Sequence, residues 1–171
     1  MKAGEEIKYD LDRDDVIRRV YGDWSDVTGA VVGNSIWRYI IDSSLVEVYQ
    51  HLFTAARKRG RPLEFAYRCD TPTHVQRMRL QVAPLGAEAL EVRSRLVASA
   101  AKASPEIFFS VGRGVAMALK CSVCARLGRS PDWMDLVEAA QADWLDRDQP
   151  IRVYHSVCPA CRDRLMSVGK G

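Results

Sequence analysis

The sequence predicts an α+β fold: an antiparallel sheet with flanking helices, followed by a small ribbon-like C-terminal module built on cysteines. Three observations lead there. Three runs between residues 63 and 96 alternate apolar with polar side chains, as strands with one buried face do. Before them, Leu45, Val48, Tyr49, Leu52, Phe53 and Ala56 form one helical stripe. After them come two Cys-x-x-Cys pairs, Cys121/Cys124 and Cys158/Cys161, with thirty-three residues between.

The totals suit one ordinary domain plus a small module: 171 residues, 47% hydrophobic and 27% charged. No apolar run reaches the ~18 residues of a membrane span. The charge of +3 sits in residues 1–120, which hold 18 Lys and Arg against 15 Asp and Glu. Residues 121–171 balance at seven against seven, without the basic excess of a nucleic-acid-binding metal module.

Taken in order, residues 1–13 read as a polar N-terminal arm, frayed or a short leading helix. Asp14 to Val20 read as a first strand, and Tyr21 to Gly29 as a turn with a short helical piece carrying Trp24 and Val27. Val31 to Ile41 is apolar and aromatic, broken by a turn at Gly33-Asn34-Ser35. The long helix starts at Ser43 or Ser44, with Glu47 placed for a capping box, and ends on Arg57, Lys58, Arg59 and Gly60. On it, His51 points about 140° from the centre of the apolar stripe, so it faces solvent and a helix-borne haem ligand is not expected.

The three strands follow. Leu63, Phe65 and Tyr67 alternate with Glu64 and Arg68. Met78, Leu80 and Val82 alternate with Arg77, Arg79 and Gln81. Leu90, Val92 and Leu96 alternate with Glu91, Arg93 and Arg95. Pro84 to Ala87 makes a hairpin turn between the last two. The polar faces lack aromatics that would stack bases, so nucleic-acid binding is not expected there, and cross-strand pairs such as Arg79 with Glu91 are the expected use of the charges. Cys69, in a turn segment with His74 five residues on, lacks an orienting acid in any motif and reads as an ordinary turn cysteine. Residues 98–114 are small, Ser-rich and broken by Pro105, which marks a linker; Gly112-Arg113-Gly114 fits no phosphate-binding fingerprint.

The module of residues 115–171 begins with a strand, Val115 to Leu119, leading into Cys121. Ser130-Pro131 starts a helix bearing Trp133, Leu136, Val137 and Ala140, and Ile151 to Val157 returns as a strand into Cys158. Two Cys-x-x-Cys turns brought together supply the four thiolates of a tetrahedral zinc shell, which is closed to water and therefore structural. Two disulfides would leave Cys69 over, and no signal peptide accompanies them. A thioredoxin-like pair would need a neighbouring βαβ pattern. An iron–sulfur cluster accepts the same four thiolates. His155 is a ligand, a hydrogen-bond partner of a ligand sulfur, or an ordinary polar neighbour.

Over residues 14–97 the order of strand, short helices, long helix and three strands resembles a PAS domain. The segments that carry this are DWSDVTGAVVGNSIWRYI, SLVEVYQHLFTAARKRG, PLEFAYRCD and RMRLQVAPL. The tail resembles the cysteine-rich end of some bacterial PAS and response-regulator-like proteins, where a CSxC segment, a Trp-bearing helix and SHGxCPxC follow one another. Here CSVCARLG, Trp133 and VYHSVCPAC keep His155 and both pairs, with Ser156 in place of the glycine.

The resemblance implies a sensory or protein-interaction domain that forms a homodimer, with an unidentified small molecule as one use of the space around Phe53, Phe65 and Tyr67; a plain core is the other. The expectation is a non-enzymatic, cytoplasmic bacterial signal-transduction protein. It would hold one structural Zn²⁺ on Cys121, Cys124, Cys158 and Cys161 and act on signalling partners. The alternatives are a zinc-ribbon adaptor for nucleic acid or the transcription machinery, and a thiol redox sensor.

Overall fold

The computed structural model describes residues 6–22, 30–71, 73–86, 88–102, 116–129, 132–144 and 151–169. Its larger part is an antiparallel sheet of five strands: β1 (Glu6–Leu11), β2 (Ile17–Tyr21), β3 (Leu63–Arg68), β4 (His74–Leu85) and β5 (Ala89–Ala101). They lie in the order β2-β1-β5-β4-β3, with the long helix α1 (Ser43–Arg59) between β2 and β3 in the chain. This is the PAS-like α+β arrangement that the sequence predicts.

The N-terminal residues correct that prediction. Residues 6–11 are no arm or helix but a central strand, paired with both β2 and β5. Ile7, Tyr9 and Leu11 alternate with Glu6, Lys8 and Asp10, the period of a half-buried strand. The turn that follows delays β2 to Ile17: Asp12 accepts from the amides of Asp14 and Val16, both at 2.9 Å, and Asp15 sits at φ 58°. Trp24 and Val27 fall outside the described residues. Beyond them, Gly33 turns the chain at φ 85°, and a single 3-10 turn, Ile36–Arg38, buries Ile36.

Helix α1 covers the inner face of the sheet with Val48, Leu52, Phe53 and Ala56. Its N-cap is Asp42, whose carboxylate accepts from the Leu45 amide; neither serine caps it. Gly60, at φ 61°, ends it. Opposite the helix stand Leu63, Met78, Leu80, Val82, Leu90 and Val92, all buried. On the outer face the register places Arg79 against Arg95, so the expected pair with Glu91 does not form. Arg79 meets Glu64 at 3.5 Å, and Glu91 takes Lys8 at 2.6 Å and Arg93 at 2.7 Å. The turn is shorter than expected, since Pro84 and Leu85 still belong to β4 and Gly86 turns at φ 66°. Residues 98–101 extend β5, so that part of the linker is strand; residues 103–115 lie outside the described set.

The smaller part is a four-stranded sheet, ordered β8-β7-β6-β9, of β6 (Ala116–Cys121), β7 (Leu127–Arg129), β8 (Asp132–Met134) and β9 (Ile151–Ser156). β6 and β9 run parallel; the other pairs are antiparallel. Trp133 belongs to β8 and not to a helix, because the helix α2 (Leu136–Gln141) begins only after Asp135. A capping box with Glu138 fixes that start. Ser130 and Pro131 lie outside the described residues. A Cβ on Gly128 would stand 2.8 Å from the Trp133 ring that lies over it. Gly128→Ala is therefore expected to displace the indole and cost about 1–3 kcal/mol, seen as a lower denaturant midpoint with altered tryptophan emission.

One continuous core joins the two parts. Val48, Leu52, Phe53, Leu80 and Val92 belong to the same buried cluster as Cys121, Val123, Val157, Cys158, Cys161 and Leu165. Among the described residues, no helix is long and apolar enough to cross a membrane.

Candidate metal centre

Each cysteine pair rests on a regular element. β6 delivers Cys121, and the chain folds back at once. The Cys121 amide donates to the Arg126 carbonyl at 2.8 Å and the Ala125 amide to the Cys121 carbonyl at 2.9 Å. Ala125 accepts φ 62° to close this knuckle. β9 delivers the second pair to a helix, α3 (Pro159–Ser167). Cys158 is its N-cap, Pro159 opens the first turn and Cys161 lies within it. The N-terminal end of α3 thus carries two of the four sulfurs.

The four Sγ atoms lie within 4.8 Å of one another. Cys124 and Cys158 are 3.8 Å apart. A tetrahedral ion with M–S bonds of about 2.3 Å holds its sulfurs roughly 3.8 Å apart, so this donor set fits a tetrathiolate metal. Amides of Val123 and Cys158 donate to the Cys121 sulfur, each at 3.4 Å. A hydrogen bond from the Cys124 thiol, helped by these amides, outweighs burial and holds the Cys121 thiol at about 4. The same bond, with burial, pushes Cys124 up, and burial first of all pushes Cys161 up to about 12. A cation must displace these protons, so metal affinity rises with pH.

The other sequence candidates stay outside the shell. His155 faces Ser122 Oγ at 3.5 Å and is not grouped with the sulfurs. Cys69 is exposed, and the His74 ring bonds to Thr73 Oγ1 at 2.8 Å. Phe53 packs between Trp37 and Tyr49, each with ring centroids at 5.7 Å, as a core residue does. Tyr67 hydrogen-bonds Ser94 at 2.6 Å.

What the sequence reading missed is the fastening of this centre to α1. Ser44 Oγ accepts from the Val157 amide at 3.1 Å, one residue before Cys158. Arg162, one residue after Cys161, forks onto Glu47 at 2.7 and 3.0 Å. His51 Nε2 meets the Val168 carbonyl at 2.8 Å and is not solvent-facing as expected. A Cβ on Gly169 would stand 2.8 Å from Ala55. Ser44, Glu47, His51 and Ala55 fall at i, i+3, i+7 and i+11, a second stripe down the helix. That spacing is the signal by which the docking face could have been found. From the sheet side, the Arg68 amide donates to the Val123 carbonyl at 2.9 Å.

Arg162 holds the Glu47 carboxyl below its usual 4.5. A depressed carboxyl adds stability above its unfolded value and loses it as pH falls through the folded one. The Glu47 contribution is thus expected to be complete above pH 4.5 and to fade below it. Because both groups are nearly half exposed, it should be small and weaken with salt. A pH titration of thermal stability for wild type against Glu47→Gln reads this difference.

Fold and site together define an α+β chain with a PAS-like sheet and a four-cysteine centre at its C-terminal end. No protein-family model matches the chain, and no curated protein matches it. Among solved structures, it is similar to a domain of an HTR-like protein from Haloarcula marismortui. That match has 13% identity and a TM-score of 0.42, over 54% of this chain and 98% of the other. It is also similar to the photoactive yellow protein domain of the sensor histidine kinase Ppr from Rhodospirillum centenum. Identity there is 14% and the TM-score 0.42, over 53% of this chain and 90% of the other.

Proposed function

We propose that this chain is a signal-transduction protein of the bacterial cytoplasm. Its PAS-like part senses a signal or contacts signalling partners as a homodimer, and a structural Zn²⁺ on Cys121, Cys124, Cys158 and Cys161 braces it. The observation that carries this reading is the four-sulfur shell set into the core shared with α1. When bound, the ion supplies a cross-link between the β6 knuckle and α3. Four protein sulfurs complete a tetrahedral shell, so the centre holds shape and activates no water. The chain's own residues do the rest: Ser44 and Glu47 hold the module against α1, and α1 covers the inner face of the sheet. Any small molecule taken up between sheet and helix would act on that same helix.

The test is native mass spectrometry with elemental analysis, followed by affinity capture using the zinc-loaded protein. One zinc per chain, a dimer mass and reproducible capture of a signalling protein would support the reading. Iron with visible absorption bands, or a monomer that captures no partner and retains no small molecule, would overturn it.

A further inference from the structure

The four sulfurs are not equally protected. Cys121, Cys158 and Cys161 are 0%, 2% and 7% exposed, whereas Cys124 is only half-buried. An open cleft of about 520 Å³ lies beside the centre, and Cys124, Cys158 and Cys161 line it while Cys121 does not. Three guanidinium groups, Arg68, Arg126 and Arg164, share the lining with two carboxylates, Asp135 and Glu138. Arg68 is bound to Asp70 and stands 3.8 Å from Asp135, which leaves Arg126 and Arg164 to face a visitor. Arg164 Nη2 also approaches the Cys161 sulfur, at 4.0 Å. The two carboxylates are engaged by the amides of Asp135 and Val137 at the start of α2. The sulfurs therefore share the cleft with two guanidinium groups that no acid holds among the described residues. Partly exposed sulfur beside cationic groups is the setting in which cysteine reacts.

We propose that Cys124 is an oxidation site for hydroperoxides and Cys158 its resolving partner. The proposal rests on the metal centre of the reading above and assigns its regulation. The Cys124 thiolate attacks the outer oxygen of the peroxide, forming an S–O bond as the O–O bond breaks. The departing alkoxide, or hydroxide when the oxidant is hydrogen peroxide, is met by the N–H groups of Arg126 and Arg164, takes a proton from solvent and leaves as alcohol or water. The Cys158 thiolate, its sulfur 3.8 Å away, then attacks the sulfenic sulfur. An S–S bond forms, the S–O bond breaks, and the sulfenic hydroxide takes a proton and leaves as water. Two thiolates are oxidised by two electrons in all, and the peroxide is reduced. A shell missing two sulfurs no longer holds its ion, and α3, which carries Cys158 and grips Glu47 through Arg162, loses its anchor on α1.

Exposed Cys69 supplies an internal reference. Zinc-loaded protein is treated with hydrogen peroxide, and released zinc, Cys69 oxidation and disulfide-linked peptides are followed together. The expected result is zinc release at least as fast as Cys69 oxidation, one disulfide joining Cys124 to Cys158, and faster amide exchange in residues 43–52. The double variant Arg126→Ala/Arg164→Ala should bind zinc normally and release it about tenfold more slowly, a smaller effect than a buried oxyanion donor has, because the cleft is open. Cys69 oxidation in that variant should be unchanged. Zinc retained while Cys69 is oxidised, a disulfide between other cysteines, or release at the wild-type rate from the double variant would each overturn the proposal. Those outcomes leave the zinc centre standing, whereas a protein that takes up no zinc removes both.

Discussion

Cys121→Ser is expected to unfold the sheet along with the cysteine module, and not merely to release a metal. Cys121 is fully buried and belongs to the cluster that contains Leu52, Phe53 and Val92. Its sulfur accepts two backbone amides, and its backbone closes the knuckle on Arg126. A structural tetrathiolate zinc is worth about 10–16 kcal/mol of apparent binding free energy, whereas a whole domain is stable by only about 5–15 kcal/mol. Losing one sulfur therefore removes a quantity comparable to the entire stability of the fold. The expected outcome is no bound zinc and no cooperative transition by circular dichroism at 25 °C, or a transition lowered by tens of degrees. Chelation of the wild type should reproduce it. A zinc-free variant whose sheet still melts as wild type does would show that the two parts fold separately.

Phe53→Ala tests the same coupling from the other side. The ring is 1% exposed on α1, between Trp37 and Tyr49, and touches none of the four sulfurs' own elements through a hydrogen bond. Emptying its site should cost about 3–5 kcal/mol, the usual range for a buried phenylalanine. If the core is continuous, the loss is felt at the metal. Zinc transfer to a chelator should quicken together with global unfolding. Unfolding in urea should remain a single transition by tryptophan fluorescence and by zinc release. Two separate transitions, with zinc held through the first, would contradict the shared core.

Much of this architecture is legible in the sequence because side-chain period reports burial directly. The α1 stripe and the inner faces of β3, β4 and β5 fall where alternation places them. The cysteine spacing is equally direct, since the four sulfurs converge as two such turns should. The failures share a physical cause. Strand β1 is half charged because its outer face carries Glu6, Lys8 and Asp10, so its period is visible but its hydrophobicity is diluted. The Arg79 partner depends on strand register, which the hairpin sets: pairing runs unbroken from Leu85 with Ala89 to Arg79 with Arg95. Asp42 caps α1, while Ser44, inside the first turn, donates to that Asp42 carboxylate and accepts from the Val157 amide, more than a hundred residues away. His51 looked solvent-facing because period locates the apolar face of a helix but does not show that its polar face is also covered.

The most direct test of the central claim is amide hydrogen exchange across residues 43–59, measured on one preparation before and after the zinc is removed. If the metal centre braces the PAS-like core through Ser44, Glu47 and His51, residues 43–52 should lose most of their protection on stripping and regain it when zinc is restored. Unchanged protection in α1, with exchange rising only in residues 116–169, would mean that the centre holds its own module together and nothing more.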